Sequence, residues 1–349
     1  MSVRVGIIAP PWVPVPPPAY GGTEAVIDRL ARGLLAAGDD VLLWTTGDST
    51  CPVERRHVFE RAEIDRMGIA AIELRHLIRG YEAMADWGAD IVHDHTLIGP
   101  VYAHRYPALP VVTTNHGPFN EELTDLYQAI ADHVPVIAIS HDQAARAGDL
   151  PIAAVIHHGI DLDRFPFGDG TGDDDGPYFL FLGRMAPEKG ARRAALAARQ
   201  AGVRLLMAAK MREPWEYQFF AEQVEPLLGD DVVYVGEADH DTKVRLLQGA
   251  TALVNPIRWP EPFGLVMIEA LACGTPVLAF HEGAAPEIVD HGTTGFLCDD
   301  VDDLVGHLAK AADLDRRACR RAAEQRFGTA RMVADHRRLF HAILEGHGR

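Results

Sequence analysis

Cysteine is scarce in this chain. Four occur among 349 residues, at positions 51, 273, 298 and 319. None forms a CxxC pair. Neither a zinc ribbon nor a small disulfide framework is encoded, and a reduced, cytoplasmic protein is expected. Lysine is equally rare, at 189, 210, 243 and 310 only, against twenty-nine arginines. Basic charge as a whole is short. Thirty-three Lys and Arg stand against fifty Asp and Glu, a formal net charge of −17. Nucleic-acid proteins usually carry a basic face, so no nucleic-acid partner is expected. Adhesion to an anionic membrane is disfavoured as well, although a local basic patch leaves peripheral contact open. No apolar run reaches ~18 residues, and Met1-Ser2-Val3-Arg4 has no signal-peptide layout, so no transmembrane segment is expected. Two nucleotide signatures are also missing. There is no GxxxxGK[ST], and Gly6 is followed by Ile-Ile-Ala-Pro-Pro instead of a GxGxxG run. These gaps argue against a P-loop kinase or ATPase and against an NAD-type dehydrogenase.

What is present is a strand-then-helix rhythm, run twice. The length suits two domains of ~150 residues, and the 48% hydrophobic content supports full cores. Val3–Ala9, Val41–Trp44, Asp90–His95, Val111–Thr114, Val136–Ser140 and Ala153–Ile156 read as buried strands with helices between them. A proline-rich loop, Pro10–Pro18, runs into Tyr20-Gly21-Gly22-Thr23-Glu24. The acidic, glycine-rich stretch Gly168–Gly176 reads as an exposed linker or loop. Strands at Tyr178–Leu182, Val203–Ala208, Val232–Val235, Ala252–Val254 and Pro276–Phe280 follow. Alternating β and α elements imply α/β domains with doubly wound parallel sheets, here two facing across a cleft, with ligands beyond the carboxyl ends of the strands.

Two segments carry chemistry. In Trp259-Pro260-Glu261-Pro262-Phe263-Gly264-Leu265-Val266-Met267-Ile268-Glu269, proline suits the first turn of a helix and not its interior. That places Glu261 at a helix mouth and Glu269 two turns in, with Gly274 as the stop. Free amides at a helix start favour an anion, and carboxylates beside them suit hydroxyls. A nucleotide sugar offers both; a capped, solvated helix is the bland alternative. In Gly183-Arg184-Met185-Ala186-Pro187-Glu188-Lys189-Gly190, Arg184 offers a planar fork for phosphate oxygens and Lys189 a compact charge. An ordinary charged turn is the alternative here.

The chain resembles the retaining glycosyltransferases of family 4, which have the GT-B fold of two Rossmann-like domains. The resemblance rests on Gly21-Gly22-Thr23-Glu24, Asp90-Ile91-Val92-His93-Asp94-His95, Thr114-Asn115-His116-Gly117, and His158-Gly159-Ile160-Asp161. It continues through Gly183-Arg184 with Lys189-Gly190, the Glu261 to Glu269 segment, Gly274-Thr275-Pro276 and Glu287-Ile288-Val289. It implies an N-terminal acceptor-side domain over 1–165, a nucleotide-sugar domain over 166–328, and a last helix, 329–349, crossing back to the first. It further implies that Arg184 and Lys189 hold the donor diphosphate, and that Glu261 meets sugar hydroxyls with the amides of Phe263, Gly264 and Leu265 nearby. By the same resemblance Glu269 takes the ribose, Gly21 and Gly22 close over the phosphates, and His116 faces the reacting sugar. The implied reaction is front-face transfer of a hexosyl group with retention. The donor is a UDP-sugar first and GDP-mannose second; the acceptor is a small molecule, lipid or polysaccharide. No metal or other cofactor is implied. A nucleotide-sugar epimerase on the same fold is the alternative.

Some features compete with this reading. Both histidines of His93-Asp94-His95 share a strand face, as zinc would accept, and His157-His158 is a second pair. Neither has a cysteine or third histidine at diagnostic spacing. Ser140, ahead of Asp142 and a helix, suits a cap better than a nucleophile. Ala284 stands where the family often has a second glycine, and Ala209-Lys210 replaces a small residue followed by glycine. Arg316, Arg317, Arg320, Arg321 and Arg326 crowd one stretch, read as a solvated helix face with a membrane or partner contact as the alternative.

Overall fold

The computed structural model of the chain describes residues 2–18 and 21–347. Tyr20, read above at the end of the proline-rich loop, lies outside the described residues. The chain divides into two compact units. The first runs to Gly159 and resumes at Thr329; the second is Ile160–Gly328. The division falls ahead of the 165/166 boundary expected from the sequence.

The first unit contains β1 (Arg4–Ile8), α1 (Gly22–Ala36), β2 (Asp40–Thr45), β3 (Glu54–His57), α2 (Ala70–Trp87), β4 (Ile91–Asp94), α3 (Gly99–Tyr102), β5 (Val111–Thr114), α4 (Glu121–Gln128), β6 (Val136–Ala138), α5 (His141–Arg146) and β7 (Ile152–Val155). Its sheet is parallel throughout, in the order β3-β2-β1-β4-β5-β6-β7. The second unit contains β8 (Phe179–Arg184), α6 (Ala191–Ala201), β9 (Leu205–Lys210), α7 (Pro214–Phe219), β10 (Val232–Gly236), α8 (His240–Gly249), β11 (Leu253–Asn255), α9 (Leu265–Ala272), β12 (Val277–Phe280), α10 (Ala285–Ile288), β13 (Gly295–Cys298), α11 (Val301–Ala311) and α12 (Arg316–Arg326). Its sheet is also parallel, in the order β10-β9-β8-β11-β12-β13. Helices cover both faces of such a sheet, so the strands bury both sides and read as unbroken apolar runs. Val5, Ile7 and Ile8 of β1 have no solvent contact, and neither do Leu205 and Met207 of β9.

The last helix, α13 (Thr329–His347), belongs to the first unit. It packs on α1 where Gly33 leaves room; a Cβ there would lie 2.4 Å from Val333. Arg337 pairs with the buried Asp39 at 2.9 Å, and Arg331 donates to the carbonyls of His157 and His158 at 2.7 and 3.0 Å.

The structure goes beyond the sequence reading at three places. Strands β3 and β13 were not foreseen. Glu54-Arg55-Arg56-His57 sits at a sheet edge, mostly solvated, and has no apolar residue to signal a strand. Strand β13 is a four-residue edge strand whose Gly295 lies hard against β12, where a Cβ would stand 1.9 Å from the Val277 carbonyl oxygen. Of the two forms expected for Gly168–Gly176, the structure has the solvent-facing loop and not the linker. It lies inside the second unit, with Gly170 and Gly172 amides bonded to the carbonyls of Gln248 and Gly249 and with Asp173 paired to Arg204.

Candidate functional site

Each sheet reverses its strand order once, between β1 and β4 and between β8 and β11. Loops leaving the carboxyl ends diverge at such a point and open a crevice that ligands use. In the second unit the diverging loops are 185–190 and 256–264. They bring together Lys189 and Glu261, and Arg184 ends the strand that leads into the first loop.

Arg184 is the last residue of β8. Its guanidinium lies 2.5 Å from Glu188, 3.3 Å from the buried Glu216 and 5.4 Å from the Trp215 ring centre. Glu216 is held in turn by the amides of Arg212 and Glu213 at 2.6 and 2.9 Å. Lys189 ends the same loop, and Gly190 follows with φ 86 as the cap of α6. Glycine is required there twice over, by the left-handed backbone and by contact, since a Cβ would lie 2.3 Å from the Pro256 carbonyl oxygen. That contact seats one loop on the other. Lys189 Nζ consequently meets Glu261 Oε2 in a short ion pair. The Trp259 indole N–H donates to the same oxygen at 2.6 Å, and the ammonium lies 5.1 Å from the indole ring centre. One carboxylate oxygen thus has two donors, and Oε1 has no hydrogen-bond partner among the described residues.

Glu261 is not at the helix mouth. Helix α9 begins at Leu265, capped by Gly264 with φ 90, so Pro262 and Phe263 precede the helix. Only glycine reverses the chain into the helix at that φ without strain. Tertiary contact holds the loop: the Ala284 amide donates to the Glu261 carbonyl at 3.0 Å. A Cβ on Gly283 would lie 2.3 Å from that oxygen. Ala284 itself has ordinary right-handed φ −78 and ψ 0, so no second glycine is needed. Phe263 is buried against Phe327 with ring centres 6.2 Å apart, while Leu265 opens the helix. Glu269 is therefore about one turn into the helix, not two. Its Oε1 accepts from Lys243 Nζ on α8 at 2.8 Å.

In the first unit, Gly21 is the extended cap of α1 and Gly22 its first helical residue, so the pair opens a helix instead of forming a free loop. The preceding proline-rich loop is pinned at Val15, whose amide donates to Ser49 Oγ at 2.9 Å. His116 follows β5. Its Nε2 lies 2.8 Å from His95 Nδ1, and its ring stacks on His158 with centres 5.2 Å apart. His93 and His95 do share a face, with ring centres 3.9 Å apart, and His336 of α13 packs on His93 at 5.2 Å. Five imidazoles form one buried chain. Burial first, then the neighbouring His336, pushes the His116 pKa down to about 3. Burial likewise lowers His336 to about 4, and it holds His93, His95 and His158 well below the usual range. Nδ1 of His93, Nε2 of His95 and Nδ1 of His116 are enclosed with no protein partner among the described residues. Also among the described residues, no set of three ligand atoms within metal-binding reach includes His93 or His95. Cys298, Asp303 and His307 do converge in the second unit. There, however, the Asp303 carboxylate accepts from the Asp299 amide at 3.0 Å, just ahead of the Asp300 cap of α11, and His307 Nδ1 bonds its own helix at the Asp303 carbonyl, 2.9 Å away. Ser140 caps α5 by accepting from the Gln143 amide at 3.0 Å.

Comparison with known proteins agrees with this layout. A family profile described as "Glycosyltransferase Family 4" matches residues 20–164, and one described as "Glycosyl transferases group 1" matches 167–326. The chain belongs to glycosyltransferase family 4. Among relatives of this family-4 enzyme is an N-acetyl-alpha-D-glucosaminyl L-malate synthase of Bacillus anthracis, 31% identical over 124 residues. That match spans about a third of either protein: 33% of this chain and 32% of the relative. A glycogen synthase of Mycobacterium tuberculosis is 27% identical over 89% of this chain and 87% of its own length. By structure, a sucrose-phosphate synthase of Thermosynechococcus elongatus superposes with TM-score 0.82 at 22% identity, covering 99% of this chain and 100% of that one. Anabaena Alr3699/HepE, solved in complex with UDP-glucose, gives TM-score 0.75 at 19% identity over 97% and 100% of the chains. These structural likenesses establish the GT-B fold. Among the described residues no helix is long and apolar enough to cross a membrane.

Several participants were missed in the sequence. Trp259 stood inside the motif, and its donor N–H beside a carboxylate was the available clue. Lys243 is one of only four lysines. Glu216 and His336 gave no local signal, since each meets its partner only through the fold, and His158 was read only as part of a motif and of a possible metal pair.

Proposed function

We propose that this glycosyltransferase moves a hexosyl group from a nucleoside-diphosphate sugar to an acceptor hydroxyl with retention of configuration and without a metal ion. The observation that carries the reading is the Lys189–Glu261–Trp259 cluster at the switch point of the second sheet, with Arg184 at the end of β8 leading into the Lys189 loop. Departure of the diphosphate builds negative charge on its oxygens and positive charge at the anomeric carbon. Preorganised cations stabilise the first without reorganising when the bond breaks. Lys189 and Arg184 take that role. Glu261, anchored through Oε2, offers Oε1 to donor hydroxyls, beside the amides of Phe263, Gly264 and Leu265. Glu269 accepts from the ribose, with Lys243 keeping its carboxylate oriented. Glu261 is tied to hydroxyl recognition, so the departing phosphate, not a protein nucleophile, helps to deprotonate the acceptor on the same face. In the first unit, Gly21 and Gly22 serve the phosphates and His116 the reacting sugar. A UDP-sugar is the first choice of donor, in line with the UDP-glucose complex of HepE, and GDP-mannose the second. The relatives' names favour polar acceptors, small or polysaccharide, over lipid.

A thermal-shift screen with UDP, GDP, ADP and dTDP tests the donor, because a ligand of the native state raises its melting temperature. Transfer from the matching α-linked donor sugar, followed by NMR of the new linkage, tests the rest. An α-linked product with activity undiminished by EDTA is expected. A β-linked product, loss of activity to EDTA with rescue by metal, or an epimerised nucleotide sugar formed without acceptor would each overturn a stated part.

A further inference from the structure

The arginine-rich stretch near the C-terminus is not a uniform solvated face. Arg316 is structural, donating to the carbonyls of Gly168 and Ala250 at 2.9 and 2.8 Å and to Thr275 Oγ1 at 2.9 Å. Arg320 is structural too, bonding the carbonyls of Phe165 and Ala272 at 2.6 and 2.8 Å. Arg326 pairs with Asp290 at 2.8 Å. Arg317 differs. Its guanidinium lies 5.4 Å from the ring centre of Phe167 and has no carboxylate partner among the described residues. Arg321 has only a solvent-exposed pair with Asp315 at 2.9 Å, of a kind worth little and readily exchanged.

Positions 317, 320 and 321 share one face of α12 by their three- and four-residue spacing. That face borders a cavity of about 520 Å³. The opposite wall is apolar, made by Leu162, Pro166 and the half-exposed Phe167. Asp163 and Glu324 also line it, the latter with one carboxylate oxygen paired to Arg320 at 2.7 Å. The volume is that of a small-ligand pocket. Two guanidinium forks suit a phosphoryl dianion, the apolar wall suits a carbon skeleton, and the carboxylates accept from hydroxyls. The cavity is also distinct from the proposed donor site. Phe167 packs at Gly274, where a Cβ would be 2.5 Å from its ring, and Arg320 holds Ala272. Both mark the C-terminal end of α9, whereas Glu261 and Lys189 precede its N-terminus. The helix between them is about 12 Å long.

We propose that the cavity between α12 and the Leu162–Phe167 segment is a second binding site of the enzyme, for a small polyol or sugar phosphomonoester. The phosphoryl group sits between Arg317 and Arg321, and the hydroxylated body lies along Phe167 towards Asp163 and Glu324. Calorimetry on the full chain with ribose 5-phosphate, ribose and inorganic phosphate tests it. Ribose 5-phosphate is expected to bind at least tenfold more tightly than inorganic phosphate, with ribose alone not binding. The Arg317→Ala/Arg321→Ala double variant is expected to weaken it at least tenfold and Lys189→Ala to leave it unchanged. Arg317→Lys, which retains charge but not the fork, is expected to fall between, at an unaltered melting temperature. Binding lost in Lys189→Ala but kept in the arginine variant would assign the phosphate to the donor site and end the proposal. Phosphate binding as tightly as the ester, or no binding at millimolar concentration, would also overturn it.

Discussion

Acidification should unfold the first unit before the second. Three imidazoles buried there have pKa values pushed down by burial: His76 to about 4, His116 to about 3 and His336 to about 4. In the unfolded chain each titrates near 6.5. Below that pH the unfolded state binds protons that the folded state refuses, so stability falls as pH falls, down to the folded pKa values. Each group costs about 1.4 kcal/mol per pH unit in that window, or about 2 kcal/mol at pH 5, and the three together about 6 kcal/mol. His93, His95 and His158 act in the same direction, because burial first, and then the neighbouring rings, disfavour their protonated forms. Asp94 opposes them. Burial raises its pKa to about 6, so the folded state gains a proton first and recovers about 1.4 kcal/mol by pH 5. Glu24 and Glu73, raised mainly by burial, share that sign. The net loss of about 5 kcal/mol rivals the whole stability of an ordinary domain. In the second unit His240, which is only partly buried, is lowered mainly by burial. Urea unfolding between pH 7 and 5, followed by hydrogen exchange resolved along the sequence, provides the assay. Protection should fall first across residues 2–159 and 329–347, with an uptake of at least three protons. A urea midpoint that stays level over this range would refute the buried, neutral state of the cluster.

The remaining predictions concern the second unit. Lys189→Ala should lower kcat about 100- to 1,000-fold, the usual cost of removing one preorganised donor to a developing anion, with a melting temperature only a few degrees lower; steady-state kinetics beside calorimetric melting separates the two. Trp259→Phe keeps the ring but removes the N–H to Glu261 Oε2, so donor KM should rise by about tenfold, the worth of one hydrogen bond to a charged group; an unchanged KM would show that Lys189 alone orients the carboxylate. Gly283→Ala must fit a Cβ 2.3 Å from the Glu261 carbonyl at φ 54, so activity should drop at least tenfold while Ala284→Gly leaves it nearly intact; equal effects would remove the close-approach argument.

Both domains were readable from the sequence because parallel strands buried on two faces leave apolar runs that alternate with helical spacing. The same locality made Arg184, Lys189, Glu261 and Glu269 visible, since each lies in or directly beside a short βα loop: Arg184 ends β8, Lys189 and Glu261 are in loops, and Glu269 is about one turn into α9. What fails locally is anything set by a partner distant in the chain. Pro262 suggested a helix start, yet Gly264 and the bond from Ala284 to Glu261 place it at Leu265. Gly168–Gly176 has linker composition but is tied down by residues 204, 248 and 249. His93 and His95 suggested a metal pair, while the fold adds His116, His158 and His336 from other strands and the last helix. Composition and periodicity alone determined two doubly wound sheets and which loops carry charge, because backbone pairing and burial act over neighbouring residues. Tertiary structure decided which charges meet, because Lys189 touches Glu261, and Lys243 touches Glu269, only after strands far apart in sequence have paired and set their loops side by side.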